Sequence, residues 1–247
     1  MRFLKNMEKT CCASFPLIEF NRHFFIENGQ GTLVVDTGSP VSFHDEGFLE
    51  LNGLRTEVAQ SFQGKVDTRY IAEHVGKAVS GLLGMDFIGR WPVRIRSGRF
   101  GGVMTFGQTA PSEAALTQAR EVSAGGFSVM GCPGITAEVN GRPARLLFDT
   151  GAALAYIDES FIGDAPSEGQ QQDFSFLPEL GIYTVDTYRL PCRFPVGPSA
   201  GHDRQSLQDL DVVFALPPEA LAVGLKQMGI DGVIGYDLLA AFPVVLV

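Results

Sequence analysis

Two aspartates in this chain stand in matching sequence contexts that suit acid–base chemistry. Asp36-Thr37-Gly38 and Asp149-Thr150-Gly151 each follow an apolar run and precede a small residue, Ser39 or Ala152. A carboxylate at the end of a buried strand is costly to keep charged unless another group stabilises it. Because the arrangement occurs twice, we expect the two carboxyl groups to face each other. Two carboxyl groups so close resist double ionisation, and a pair that shares one proton can act as both base and acid.

The elements around each triplet are repeated as well. Upstream, two apolar stretches flank a turn signal, Glu27-Asn28-Gly29 in the first half and Asn140-Gly141 in the second, which predicts a β-hairpin. Downstream lie two similar segments, Gly81–Ile88 (GLLGMDFI) and Gly232–Leu239 (GVIGYDLL). One unit therefore consists of a hairpin, the Asp-Thr-Gly loop, variable strands, an apolar-apolar-Gly motif, a short helix and a final strand.

The two copies differ in length. From the triplet glycine to the second glycine of the downstream motif there are 46 residues in the first copy (Gly38 to Gly84) and 84 in the second (Gly151 to Gly235), so the second carries 38 additional residues.

The second copy also ends early. It reaches Val247 at the position that corresponds to Arg96, whereas the first copy continues through a predicted hairpin to Phe106. An uncovered sheet edge is a liability. We therefore expect the N-terminal residues or a strand of the first unit to cover the edge of the second.

Two Asp-Thr-Gly-Ser/Ala motifs, each with a downstream apolar-apolar-Gly, resemble the aspartic proteases. The resemblance extends over about residues 15–247 and includes features of both pepsin-like and retropepsin-like members. It implies a mainly β, bilobal acid-protease-like fold, in which a catalytic cleft separates two pseudo-symmetric β-barrel-like lobes. The implied activity is that of an aspartic endopeptidase, a class in which a shared proton is well established. The expected domains are an N-terminal lobe of residues 12–110, an interlobe linker of 111–126 and a C-terminal lobe of 127–247.

The resemblance also implies roles for single residues. Asp36 and Asp149 are the expected catalytic pair, and Thr37 and Thr150 are expected to bond to the backbone of the opposite loop. The N–H groups of Gly38 and Gly151 would donate to the carboxylates.

Ser39 would add a hydroxyl bond to Asp36 that Ala152 cannot offer to Asp149, so Asp149 is expected to be the less stabilised anion. Two segments would wedge the loops from behind, Leu82-Leu83-Gly84 and Val233-Ile234-Gly235.

A β-hairpin flap covers the cleft in the proteins that this chain resembles. We expect it over Val58–Tyr70, with its turn near Gln63-Gly64. Tyr70 is then either the flap aromatic or a structural strand tyrosine. In the insertion of the second half, residues 165–172 predict an exposed loop and residues 181–195 predict extra strands, which form a second flap or lie on the surface.

Composition excludes several classes of function. The chain of 247 residues is 45% apolar with a net charge of −9, which disfavours nucleic acid as a partner. No apolar segment approaches the ~20 residues of a membrane-spanning helix. The N-terminal segment lacks the apolar centre of a signal peptide, so we expect a cytoplasmic protein. The four cysteines have no zinc-like spacing, and we expect reduced thiols with no metal and no cofactor.

The remaining expectations concern helices, substrate and assembly. Helices are predicted over residues 112–121 and 218–228, and the rest is strand and loop. We expect a monomer that acts on peptides or unfolded proteins.

Two other interpretations stay open. One is a catalytically inactive protein of the same fold that binds peptides or partners, although neither triplet has lost a residue. The other is a homodimer that completes the shortened C-terminal sheet. A glycosidase with the same two carboxylates fits poorly, because glycosidases hold their acid and base farther apart.

Overall fold

A computed structural model describes residues 13–51, 53–98, 102–107, 121–175, 181–197, 206–242 and 244–247, and these residues form a mainly β protein. The strands up to residue 107 are β1 Ala13–Phe20, β2 His23–Asn28, β3 Gly31–Val35, β4 Phe43–His44, β5 Phe48–Leu51, β6 Leu54–Glu57, β7 Gly81–Leu83, β8 Val93–Arg96 and β9 Gly102–Phe106. The later strands are β10 Glu121–Ser123, β11 Phe127–Val129, β12 Cys132–Val139, β13 Arg142–Phe148, β14 Ala155–Ile157, β15 Ser167–Phe174, β16 Ile182–Val196, β17 Ser206–Ala215, β18 Gly232–Ile234 and β19 Val244–Leu246. The helices are α1 Thr68–Val75, α2 Met85–Ile88, α3 Glu219–Gln227 and α4 Tyr236–Ala241, with a 3-10 turn at Glu159–Phe161.

Both predicted hairpins in front of the triplets are confirmed. Strands β2 and β3 pair antiparallel, and so do β12 and β13. In the second hairpin, Asn140 and Gly141 have φ values of 48° and 76°, as a tight two-residue hairpin turn requires. The first apolar stretch, residues 15–26, is two strands rather than one, because Asn21 and Arg22 (φ 48° and 62°) turn the chain between β1 and β2.

The apolar-apolar-Gly motifs contribute short strands beside the triplet strands. Strand β7 pairs parallel with β3, and β18 pairs parallel with β13. Each motif strand also has an antiparallel neighbour on its other side, β4 for β7 and β14 for β18. Each triplet strand is therefore fixed by main-chain hydrogen bonds from both its hairpin partner and its downstream motif.

A ring of six strands closes in the second half of the chain. Its order is β12–β13–β18–β14–β17–β16, and β16 returns to pair with β12. Closure leaves the ring with no free edge. The 15-residue β16 extends beyond the ring, and its first part pairs with β15.

The exposed loop predicted over 165–172 is wrong in its secondary structure. Residues 167–174 form β15, whose first six side chains are all exposed. The polar sequence of this strand has no apolar alternation, and its pairing with β16 is what makes it extended.

Strands from outside the second unit cover its edge, as predicted. Strand β19 pairs antiparallel with β8 of the first unit, with Val245 opposite Ile95, and parallel with β10. The predicted β8–β9 hairpin is also present, and β9 pairs with β1. The C-terminal strand therefore lies in one sheet with strands of the first half.

The large core cluster includes side chains from both halves, among them Phe106, Phe148, Phe194 and Phe242, all at most 1% exposed. The helix predicted over 218–228 is confirmed as α3. The helix predicted over 112–121 lies outside the described residues, except for Glu121, which begins β10. No helix in the described parts of the chain has the length and apolar character needed to cross a membrane.

Candidate active site

Asp36 and Asp149 begin the loops that leave β3 and β13. The backbone N–H of Asp36 donates to the Leu83 carbonyl at 3.0 Å, and that of Asp149 donates to the Ile234 carbonyl at 2.9 Å. Both aspartates are therefore anchored in the same way, each by the strand of its own downstream motif.

The two triplet loops are joined through their threonines. The Thr37 hydroxyl donates to the Phe148 carbonyl at 2.7 Å and accepts from the Thr150 N–H at 3.0 Å. The Thr150 hydroxyl donates to the Val35 carbonyl at 2.7 Å and accepts from the Thr37 N–H at 3.1 Å. Both threonines are fully buried. The contacts expected of them with the opposite loop are present.

Each loop glycine lies directly against the carboxyl group of the other loop. A β-carbon at Gly38 would stand 2.1 Å from Asp149 Cγ, and one at Gly151 would stand 2.6 Å from Asp36 Cγ. Any side chain at these positions would push the loops apart. The close approach brings the two carboxyl groups together between the loops.

Backbone N–H groups surround the carboxyl pair. Asp36 Oδ1 accepts from Gly38 at 3.0 Å and from Ser39 at 2.9 Å. Asp149 Oδ1 accepts from Gly151 at 2.8 Å, and the N–H groups of Gly38 and Ala152 also stabilise its negative charge.

The predicted hydroxyl bond from Ser39 to Asp36 is wrong, because the Ser39 hydroxyl donates to the Val41 carbonyl at 2.8 Å.

Burial raises the pKa of both carboxyl groups above the ordinary range. For Asp36, the negative charge of Asp149 and the hydrogen bond between the two raise the pKa further. Two carboxyl groups held this close resist double ionisation, so their surroundings favour a pair with a single proton. The Ser39 hydroxyl does not contribute to the predicted order of stabilisation, and that order stays a prediction.

The apolar-apolar-Gly motifs pack behind the loops, as predicted for Leu83-Gly84 and Ile234-Gly235. A β-carbon at Gly84 would lie 2.4 Å from the Val41 carbonyl oxygen, and one at Gly235 would lie 1.8 Å from the Asp149 carbonyl oxygen. Only glycine permits this contact at either position.

The flap predicted over Val58–Tyr70 is wrong in its secondary structure. The turn at Gln63 and Gly64 is present, with φ values of 52° and 70°, but only one β-bridge, between Phe62 and Val66, accompanies it. Asp67 then caps α1, so Tyr70 lies on a helix. The Tyr70 hydroxyl donates to the Ser175 carbonyl at 2.7 Å, which fixes it against the second half of the chain.

A pocket of about 260 Å³ opens above the two aspartates. Its walls are mostly apolar and come from both halves of the chain, with Phe43, Phe62 and Leu82 from the first and Leu147, Leu225 and Val233 from the second.

The end of the β15–β16 hairpin closes part of the pocket. Asp173, Phe174, Ser175 and Tyr183 line it, together with Tyr156. The sequence did not single out Asp173, Phe174, Ser175 or Tyr183 as site residues, because they lie in the insertion, which has no counterpart in the first half, whereas Tyr156 corresponds to Phe43.

Asp173 is a third carboxyl group in the pocket. Its Oδ2 accepts from the Tyr156 hydroxyl at 2.5 Å, and its Oδ1 accepts from the Phe174 N–H at 2.8 Å. The Tyr156 and Tyr183 hydroxyl oxygens are 3.0 Å apart. Burial raises the pKa of Asp173, and the nearby charge of Asp149 raises it further.

A thiol contacts the loop behind the pair. Cys132 Sγ donates to the Gly38 carbonyl at 3.3 Å, and burial raises the pKa of this thiol to about 12. The group is therefore a neutral packing element at neutral pH. Among the described residues, no three His, Cys, Asp or Glu side chains are grouped so that they could hold a metal ion.

Comparison of the whole chain with protein-family models and with curated proteins finds no match. The site presents two adjacent carboxyl groups with raised pKa values, backbone donors around both, and a mostly apolar pocket above them.

Proposed function

We propose that this protein is an aspartic-type endopeptidase that hydrolyses peptide bonds with water activated between Asp36 and Asp149. The observation that carries the proposal is the reciprocal packing of the two triplet loops, in which Gly38 lies against the Asp149 carboxyl group and Gly151 lies against the Asp36 carboxyl group, one aspartate from each copy of the repeat. A pair with one proton provides a base and an acid at the same place, which is what amide hydrolysis without a covalent intermediate requires.

In the proposed reaction, the ionised member of the pair takes a proton from the attacking water, and the protonated member donates its proton to the carbonyl oxygen of the scissile bond. The pair then protonates the amide nitrogen as the C–N bond breaks, and a hydroxyl of the tetrahedral intermediate returns a proton to the pair, which ends with one proton as it began. The apparent pKa values belong to the pair rather than to either residue.

We further infer that the two halves are lobes of a bilobal acid-protease-like fold and that the pocket is part of the cleft between them. Matching positions support this. Phe43 pairs with Leu82 in the first half, as Tyr156 pairs with Val233 in the second. Strands β8 and β19, which end the two copies, pair antiparallel with each other. In this proposal the β15–β16 hairpin serves as the flap, and it comes from the second half.

The proposed substrate is an extended peptide or an unfolded protein, bound through strand-like main-chain hydrogen bonds with side chains in alternating subsites. The apolar walls favour apolar side chains next to the scissile bond. We propose that the protein works as a monomer without a cofactor. A cytoplasmic location fits the free, buried thiols of Cys132 and Cys192.

Hydrolysis of denatured casein between about pH 3 and pH 7, followed by mass spectrometry, tests the function. Asp36→Asn and Asp149→Asn are each expected to lower the rate by at least ~100-fold, since general acid–base groups contribute ~10²–10⁴-fold. The matched control is Asp209→Asn, which removes an exposed carboxylate on β17. A variant of either pair member with the wild-type rate would exclude the shared mechanism. Peptide binding without cleavage would favour the inactive peptide-binding protein instead.

A further inference from the structure

The two sides of the pocket differ in one respect. Phe43 and Leu82 on the first-half side correspond to Tyr156 and Val233 on the second-half side, by their strand pairings. Three of these four side chains are purely apolar, and Tyr156 alone carries a polar group. The polarity of the second side therefore depends on what the Tyr156 hydroxyl binds.

The Tyr156 hydroxyl fixes Asp173 at the pocket wall. It donates to Asp173 Oδ2 at 2.5 Å, while the Phe174 N–H holds Oδ1 at 2.8 Å. Both carboxyl oxygens are anchored from the protein side, and each keeps a second lone pair free to accept. Asp173 therefore presents a pre-positioned acceptor to anything that enters the second side of the pocket.

No cation of the described chain neutralises Asp173. The described residues that line the pocket include three carboxyl groups but no lysine or arginine. Arg22 pairs with Asp237 at 3.0 Å instead.

The titratable nitrogen group that acts electrostatically on Asp173 is His23, which is 2% exposed. Its Nδ1 donates to the Asn21 carbonyl at 2.7 Å, and burial lowers its pKa, so its ring is neutral. The His23 Nε2 atom has no hydrogen-bond partner among the described residues. Tyr156 and Tyr183 are neutral phenols because burial raises the pKa of each, and the remaining titratable group that acts on Asp173 is the carboxyl group of Asp149.

We infer that Asp173 is a specificity-determining residue that selects substrates with a lysine or arginine side chain next to the scissile bond, on the Tyr156 side of Asp36 and Asp149. A partly buried carboxylate with no lysine or arginine beside it in the pocket is stabilised by an incoming cation, and the bond between them is charge-assisted. The aliphatic stem of such a side chain would pack on Leu147, Leu225 and Val233. The Phe43 side takes an apolar residue. This inference rests on the proposed function, because it names the substrate class of the same site.

The test compares matched peptides that carry lysine, norleucine or glutamine at each position beside the cleaved bond. Norleucine keeps the stem without the charge, and glutamine keeps a neutral donor. A charge-assisted bond predicts a ~10- to 100-fold higher kcat/KM for lysine than for norleucine in the wild-type protein. Equal values for the two, or a preference for glutamine over lysine, would overturn the inference without any variant.

The ratio of lysine to norleucine cleavage is then measured in Asp173→Asn, where it is expected to fall to about one. Asp186→Asn is the matched control, since Asp186 lies on the same hairpin with an exposed side chain that bonds Gln170. Its ratio is expected to equal that of the wild type. A ratio in Asp173→Asn that stays as high as in the wild type would place the preference elsewhere.

Binding to Asp36→Asn separates this inference from the proposed function. Fluorescence anisotropy of the same peptides measures selection without cleavage. Tighter binding of the lysine peptide, with no hydrolysis by the wild-type protein, would refute the endopeptidase and retain the subsite. Hydrolysis by the wild-type protein together with equal binding of the lysine and norleucine peptides would retain the endopeptidase and refute the subsite.

Discussion

The hydroxyl of Thr37 offers the sharpest test of how the two triplet loops are held together. In Thr37→Val the side-chain shape is kept, and two buried hydrogen bonds are lost, to the Phe148 carbonyl and from the Thr150 N–H. Both backbone groups are then left without a partner inside the protein. Each unsatisfied buried group costs ~1–3 kcal/mol, so we expect a loss of ~2–6 kcal/mol in the free energy of unfolding.

Thermal and urea unfolding measure this loss. For a chain of this size, 1 kcal/mol corresponds to ~2–4 °C, so a loss of ~4 kcal/mol lowers Tm by ~8–16 °C. The matched control is Thr37→Ser, which keeps the hydroxyl and removes one buried methyl group. We expect it to lower the free energy of unfolding by ~1 kcal/mol. Thr150→Val is expected to match Thr37→Val, because its hydroxyl makes the same two kinds of bond to Val35 and Thr37.

Activity gives a second measure of the same perturbation. If the loops separate by about 1 Å, the carboxyl pair is misplaced and the rate of casein hydrolysis is expected to fall by ~100-fold. Thr37→Ser should retain most of the wild-type rate. If Thr37→Val is no less stable and no less active than Thr37→Ser, the bonds between the loops do not position the aspartates, and the reasoning is refuted.

Two further predictions concern the glycines and the charge of the pair. Gly235→Ala places a β-carbon 1.8 Å from the Asp149 carbonyl oxygen, and urea unfolding is expected to show a loss of at least ~3 kcal/mol in the free energy of unfolding. The control is Gly224→Ala in helix α3, where the β-carbon meets no atom within 4 Å and a gain of ~0.5–1 kcal/mol is expected. A Gly235→Ala variant as stable as the wild type would show that the motif does not wedge the loop. Burial raises the pKa of Asp36 above its unfolded value, so its contribution to stability is present below the unfolded pKa and is lost as pH rises through the folded one. Asp36→Asn should therefore be more stable than the wild type at pH 7, by ~1–3 kcal/mol, and nearly equal to it at about pH 3.5. Tm values at both pH values check this. An Asp36→Asn variant less stable than the wild type at pH 7 would mean that the charge of the carboxyl pair does not destabilise the folded protein.

The sequence predicted the parts of the site that occur twice. A duplicated motif places Asp36 and Asp149 in equivalent positions, so their meeting follows from the repeat itself. The threonine contacts follow in the same way. The close packing of Gly84 and Gly235 was also predictable, because glycine has no β-carbon to hold a neighbouring backbone away.

The parts that occur once were not predictable in this way. The sequence placed the flap over Val58–Tyr70, but Asp67 and Gly76 provide helix-capping positions, and α1 forms there instead. Strand β15 is extended only because β16 pairs with it, and its polar residues carry no strand pattern. Asp173 became a candidate only when long-range folding brought that hairpin against Tyr156.

The Ser39 hydroxyl shows the limit for single contacts. A serine after the triplet glycine can reach the carboxylate, but the Val41 carbonyl lies closer along the chain and accepts the hydrogen bond of the Ser39 hydroxyl. Such a choice between two local acceptors depends on loop geometry that residue type does not determine. The partner of the Ser39 hydroxyl was therefore not predictable from the sequence.

Carbon-13 NMR of the aspartate Cγ atoms tests the shared proton most directly. The signals of the pair are identified by their loss in Asp36→Asn and Asp149→Asn, and they are followed from about pH 3 to pH 8. We expect two coupled steps, the upper one well above the ordinary aspartate value of ~3.9, and a single step for the remaining member when its partner is asparagine. Two independent transitions near ~3.9, each unchanged by substitution of the other residue, would contradict the account.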